Sequence, residues 1–384
     1  MNELSAKVIT AINEVAPALW HSVFTSDYPF YKHEFLNALE QSKCVSAEQG
    51  WQPLHILIYQ DELLIAALPC YLKSHSYGEY IFDWSWADAY QQHGLDYYPK
   101  LVSAVPFTPA TGPRVGIHPK FNSQQAQIFA LLVSVIEQLQ STYKTSNWQC
   151  LFALSQQSLE LEKLACIRRT EVQYHWMNRD YHNFSDFMAK LTSRKRKAIN
   201  KERNAVLSNG ITFNWLQGNE ITRAAWQQFY QYYKNTYSKR SNHAGYLNSE
   251  FFTQLTSALA EQVLLLQAID SEGKVIACAL FFRTKTHLYG RYWGCSAEFE
   301  FLHFETCYYQ GIEYCIRENI QCFDAGAQGE HKLKRGFEPS LTFSNYLLSE
   351  GPFKNAINDF ITREKKHHID YIEQAKLQLP FKSG

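Results

Sequence analysis

Neither sign of charge dominates this sequence: Lys plus Arg and Asp plus Glu stand at 37 each across 384 residues. A chain that lives on nucleic acid is normally basic, so any contact with a polyanion has to be a local patch. Charged residues reach only 19%, too few for a disordered chain. Cysteines number 9, an odd count with no CxxC pair and mostly apolar neighbours. That speaks against a disulfide framework or a zinc site and for small buried hydrophobes in a reducing compartment. No metal is expected. No basic leader precedes an apolar core at the N-terminus, and no apolar run reaches the ~20 residues of a membrane helix. The expectation is a soluble, cytoplasmic protein without a membrane span. GxxxxGK followed by Ser or Thr, GxGxxG after a strand, GxSxG and HExxH are also missing. Their absence removes the P-loop, dinucleotide, nucleophile-elbow and zinc-protease readings.

Apolar material is ample, at 46%, with 24 Tyr, 25 Phe and 9 Trp. The length fits two domains of roughly 150–200 residues. Residues 3–42 show apolar positions at helical spacing. A hairpin pattern follows in LHILIY (54–59) and LLIAALPCYLK (63–73), then an aromatic strand candidate over 76–84. A long helix is predicted over 124–143, and strands over 148–154 and 166–178. In the second half a basic helix over 184–210 ends at Asn209-Gly210. Further helices at 226–239 and 251–262 lead into a second hairpin, 263–270 and 275–284, and into HLYGRYWGC (287–295). In both halves a hairpin leads to Tyr-Gly-x-Tyr, at Tyr77 and at Tyr289. The recurrence reads as a tandem duplication of one α/β unit, and hairpins demand antiparallel neighbours. The expected fold is α/β, each unit a mixed, mostly antiparallel sheet flanked by helices, divided as 1–165 and 166–384.

Several clusters could carry chemistry. FLHFETCYYQGIEYCI (301–316) reads as a helix with His303 and Glu305 in its first turn, where carboxylates and free N–H donors are favoured. Two positions apart, these side chains point in different directions. FDAGAQGEHKLKRGF (323–337) crowds Glu330, His331, Lys332 and Arg335 behind glycines. An amine that attacks a carbonyl needs a carboxylate or imidazole as base, and the oxyanion needs N–H donors or a cation. The candidate bases are His303, Glu305, Glu330 and His331. Asp83, Trp84, Trp86, Asp88 and Tyr90, with Arg114, could form a cleft for an amino-bearing group or simply pack a core edge. Arg194, Lys195 and Lys197 in SRKRKAINKER form either a phosphate clamp or a solvated helix surface, with Leu191, Ile199 and Val206 on the buried side.

Seven blocks together resemble one family: WQPLHILIY (51–59), LPCYLKSHSYGEYIFDWSWADAY (68–90), YYPKLVSAVPFTPATGPR (97–114), LTSRKRKAINKER (191–203), YGRYWGC (289–295), FLHFETCYYQGIEY (301–314) and GAQGEHKLKRGF (326–337). They are similar to the FemAB-like N-acyltransferases of the acetyltransferase (GNAT) superfamily, a group tied to peptidoglycan biosynthesis or recognition. The resemblance implies tandem GNAT-like domains, the second carrying the main site. It also implies transfer of an acyl or aminoacyl group from acyl-CoA or aminoacyl-tRNA to an amine, with a cell-wall precursor as candidate acceptor. The donor would be a co-substrate, with no permanently bound cofactor, and tRNA a candidate partner. The long helical-hairpin insertion of some peptidoglycan-bridge enzymes is absent. In this reading backbone N–H groups near Tyr292 and Trp293 hold the oxyanion. Arg291, Lys332 and Arg335 hold donor phosphate or acceptor carboxylate, and Tyr289, Tyr292 and Trp293 line the substrate site. Two rivals remain: a non-catalytic binder of envelope precursors, and an RNA-binding protein using the basic helix.

Overall fold

A computed structural model describes residues 4–241, 244–296, 299–327 and 329–382. The strands, in chain order, are β1 Leu4–Ile9, β2 Trp51–Pro53, β3 His55–Gln60, β4 Leu63–Leu68, β5 Tyr71–Lys73, β6 Lys100–Ser103, β7 Gly116–Ile117, β8 Asn147–Ala153, β9 Ile167–Met177, β10 Thr212–Gln217, β11 Val263–Ile269, β12 Val275–Arg283, β13 His287–Cys295, β14 Cys322–Asp324 and β15 Glu338–Leu348. The chain divides into two compact units: residues 1–171 with 341–370, and 172–340 with 371–384.

In the first unit β1, β3, β4 and β7 form an antiparallel sheet in that order. A second layer of strands runs β15–β8–β6–β5–β2, with only β6 and β8 parallel. The helix Gln125–Tyr143 repeats apolar residues at helical spacing. Its Ile128, Phe129, Leu132 and Ile136 pack onto Ile56, Ile58, Leu101 and Trp148. Every residue of β8 is buried, which fits a central strand covered on both faces.

The second unit orders β10–β11–β12–β13–β14, with the C-terminal part of β9 beyond β14. All pairs are antiparallel except β13 with β14. The helix Arg223–Ser241 crosses β13 at Gly294, where an added Cβ would lie 2.2 Å from the Tyr232 backbone carbonyl carbon. Only glycine permits that approach. Trp176, Phe187, Leu191, Phe281, Tyr309 and Phe323 form the centre of the core.

The predicted fold class therefore holds: both units are mixed, mostly antiparallel sheets with helices. Four local expectations differ. Residues 4–9 are a strand, because all six pair with β3. Residues 76–84 contain no strand; a loop leads into the helix Trp84–Gln92. Tyr77-Gly78-Glu79-Tyr80 thus sits in that loop, whereas its counterpart Tyr289-Gly290-Arg291-Tyr292 lies in β13. The basic helix is interrupted after Lys190 and resumes at Ser193, with Leu191 extended and fully buried.

Candidate active site

The parallel pair of the second unit is the natural place to look. β13 and β14 are joined through the helical stretch 302–317, and open α/β sheets bind ligands at the carboxyl ends of such strands. Their pairing runs from His287–Cys322 to Tyr289–Asp324 and stops there. β13 continues beside β12 with an irregular register around Arg291. Beyond Gly290 its other edge has no strand partner among the described residues.

Arg291 and Asp324 sit where the pair ends. The guanidinium donates to Asp324 Oδ2 at 2.8 Å and Oδ1 at 3.3 Å, and both groups are buried. Asp324 also accepts the Gly326 N–H at 2.9 Å. Burial alone would raise this carboxyl, but Arg291, His175 and the Gly326 N–H hold it well below the usual carboxylate range. His175 stands opposite Asp324 on β9, and its Nε2 has no hydrogen-bond partner among the described residues. Burial pushes that imidazole down despite the attraction of Asp324. Lys332, also buried, donates Nζ–H to the Gly326 carbonyl. Burial brings its ammonium down to about 8, against the pull of Asp324. These contacts pin the loop between β14 and the turn Glu330–Arg335 from beneath.

Beside that loop two histidines meet one tyrosine. His331 Nε2 and the Tyr308 hydroxyl are 2.9 Å apart. The His303 ring centroid lies 5.4 Å from that of Tyr308 and 5.4 Å from that of Trp293. Phe304 contacts both imidazoles, and the Arg335 guanidinium stacks 3.5 Å from its centroid. Burial first, then Arg335 and Lys332, hold His331 below its ordinary value, which favours the neutral imidazole. Room for the ring comes from Gly329, φ +111°: a Cβ there would lie 2.4 Å from His331 Cε1. The helix carrying His303 and Tyr308 contains a π-turn, Glu305–Tyr309, a distortion common at functional sites. Of the sequence candidates, His303, His331, Trp293, Lys332 and Arg335 are thus brought together around Tyr308 and Phe304.

The others lie elsewhere. Glu305 is fully buried and held by Arg203, at 2.9 Å from Nη2, and by Gln310 at 2.9 Å. Arg203 also reaches Glu313 at 2.7 Å. Glu330 accepts the Tyr371 hydroxyl at 2.8 Å. Arg335 donates to both oxygens of Glu202 at 2.8 Å, and Tyr309 donates to the same carboxylate. Tyr289 and Tyr292 are buried, and Tyr292 packs on Tyr233 and Phe252. Arg194 and Lys197 are exposed and Lys195 partly so. Burial and then the charges of Arg194, Lys334 and Arg335 lower the Lys195 ammonium, the mark of a cationic patch.

In the first unit Asp83 does not face a cleft. It accepts from Lys100 at 2.5 Å, Tyr97 at 2.5 Å and Gln149 at 2.8 Å. Lys100 also donates to Glu79 at 2.7 Å and Ser76 at 2.8 Å, and is 0% exposed. Lys73 lies 3.9 Å from Glu79 and 3.8 Å from the Trp51 ring centroid. Burial brings Lys73 down to about 7 and Glu79 up to about 7. Trp84 and Asp88 are exposed, Trp86 packs on Tyr346, and Tyr90 stacks on Phe353. Arg114, fully buried, is committed to the carbonyls of Leu151 and Ala110 at 2.6 Å. Sequence reasoning missed Lys73, Glu79 and Lys100, which quoted blocks contain, and Tyr308, Asp324, His175 and Glu202. Their partners are remote in sequence, so only the fold reveals them.

Comparison with solved structures places this fold. FemX shares 13% identity at a TM-score of 0.52, over 92% of this chain and 100% of its own. L-PGS from Bacillus licheniformis shares 10% at 0.50, over 86% and 96%. A conserved protein from Bacteroides thetaiotaomicron VPI-5482 shares 14% at 0.50, over 91% and 100%. At these identities the likeness is one of fold. No curated protein matches the sequence. Fold and family together define a FemAB-like protein of mixed, mostly antiparallel α/β architecture. The family model for FemAB-like proteins, described as peptidoglycan biosynthesis/recognition, matches residues 11–383, and the chain belongs to that family.

Proposed function

We propose that this enzyme moves an acyl or aminoacyl group from an activated donor, acyl-CoA or aminoacyl-tRNA, to the amine of a peptidoglycan precursor. The family description supports the acceptor class. The observation that carries the reading is the convergence of His303 and His331 on Tyr308 where β13 and β14 part. In this mechanism the Tyr308 oxygen accepts His331 Nε2–H, which leaves Nδ1 free as base. The amine nitrogen bonds to the donor carbonyl carbon, and Nδ1 takes its proton. Backbone N–H groups of β13 near Tyr292 and Trp293 receive the oxyanion. Collapse breaks the carbon–sulfur or carbon–oxygen bond of the donor. The imidazolium returns its proton to the departing thiolate or ribose oxygen. No covalent enzyme intermediate is needed. Lys332 and the Arg291–Asp324 pair hold the loop that positions His331. The donor is a co-substrate, and Arg194, Lys195 and Lys197 are available to its phosphates.

The test is a transfer assay with a panel of acyl-CoAs and aminoacyl-tRNAs and an amine-bearing muropeptide. His331→Asn should lower kcat by about 100-fold or more, the usual worth of a positioned base. Glu330→Gln should change it little, because that carboxylate faces Tyr371. Full turnover in both His331→Asn and His303→Asn removes this site. Muropeptide binding without turnover on any donor makes the chain a binder of envelope precursors.

A further inference from the structure

The two helices after β9, Phe184–Lys190 and Ser193–Leu207, enclose a groove of about 520 Å³ in the second unit. Its apolar lining includes Phe184, Met188 and Leu207. Its polar lining is Ser185 on the shorter helix and a row on the longer one: Arg196, Asn200, Arg203 and Asn204. Spaced three and four apart, these residues share one helix face. Arg203 is committed to Glu305 and Glu313. Arg196 is not committed to a carboxylate. Among the described residues it reaches only the Leu191 carbonyl at 3.5 Å and Ser193 Oγ at 3.4 Å. The carboxamides of Asn200 and Asn204 make no hydrogen bond among the described residues. The groove therefore offers one planar cation, two donor–acceptor amides and an apolar wall, and none of them serves the chemistry at His331.

We propose that this groove binds a short extended peptide by its free carboxylate. The spacing argues for a peptide over a simple anion. Arg196, Asn200 and Asn204 follow one another every four residues, or about 6 Å along the helix. Alternate residues of an extended chain repeat at about 6.6 Å. A carboxylate forked onto Arg196 would bring alternate backbone amide groups opposite Asn200 and Asn204. Its side chains would face Met188 and Leu207. The inference deepens the proposed function and rests on it for one point, that the acceptor carries a peptide; binding itself is independent of transfer.

Isothermal titration of the full chain with N-acetyl-tetraalanine and with its C-terminal amide tests the proposal, with no donor present. The free acid should bind at least tenfold more tightly than the amide. Arg196→Gln should abolish that difference, and Asn200→Leu with Asn204→Leu should weaken the acid further, with thermal melts unchanged. Equal binding of acid and amide by the native chain overturns the proposal, as does no binding of the acid at millimolar concentration. Inorganic phosphate that displaces the acid at equal concentration would also overturn it, by showing a bare anion site. Peptide binding without transfer to any amine would sink the enzymatic reading and leave the groove standing.

Discussion

His331 and Lys100 show how one residue's surroundings set its behaviour. Burial and the neighbouring cations disfavour the His331 imidazolium, so protonation is delayed to lower pH. The acid limb of kcat/KM should have its midpoint below the ordinary histidine value of 6.5, and activity should fall as pH drops through it. If the limb persists unchanged in His331→Asn, another group is the base. Lys100 is the hub of a lattice in which Glu79 and Asp83 are also sealed from solvent. Replacing a whole buried ion pair by apolar groups is often nearly neutral, but removing one partner leaves a stranded charge. Lys100→Met should therefore cost about 3–5 kcal/mol, read by denaturant unfolding. A variant within 1 kcal/mol of the native chain would mean that the carboxylates are protonated or reached by water. The sequence displayed these residues in YGEYIFDW and YYPK, yet their pairing joins positions far apart along the chain. For the same reason Asp83 looked like a cleft residue until Lys100 was seen beside it. The two histidines fall in the stretch 287–337, whose polar density is visible in the sequence itself.

Elements were legible where local pattern and tertiary demand agree. The hairpins β3–β4 and β11–β12 and the helix Gln125–Tyr143 fall close to their expected places because alternation or helical spacing persists over their length. Misreadings occur where tertiary contacts override the pattern. Nothing between Lys190 and Ser193 breaks a helix, but Leu191 pairs with Phe381 and adopts an extended conformation to do so. The aromatic run 76–84 resembles a strand, yet Lys73 and Lys100 anchor it as a loop through the Tyr77 carbonyl and Glu79. β1 was hidden because its six residues also fit helical spacing. Packing between elements gives a sharp test at Gly294. A methyl group there meets the backbone of the helix Arg223–Ser241, which cannot swing aside as a side chain can. Gly294→Ala should cost about 1–3 kcal/mol or more and lower Tm. An unchanged melting temperature would show that helix and strand can separate freely.

On the scale of the whole chain, sequence order and spatial order part company. Residues 341–370 belong with the first unit although they come nearly last, and 371–384 return to the second. β15 pairs with β8 from Leu348↔Asn147 to Phe343↔Ala153, so it completes a sheet begun far upstream. A fragment of residues 1–171 should therefore remain largely unfolded by circular dichroism. Adding the segment 341–370 in trans, or fusing it through a flexible linker, should restore a cooperative melt. A fragment that folds alone would show that β15 is dispensable. The tandem character and the fold class were readable from the repeated hairpins. The return of the C-terminal segment was not, since nothing in its composition marks which sheet it joins.

That return has a consequence during synthesis. While the chain is still emerging from the ribosome, β8 is an apolar ribbon with one open flank, and its partner has not yet been translated. The first unit cannot close until residues 341–370 leave the exit tunnel. A chain halted anywhere between residues 171 and 341 would leave that flank open, whichever of the two positions it stopped nearer.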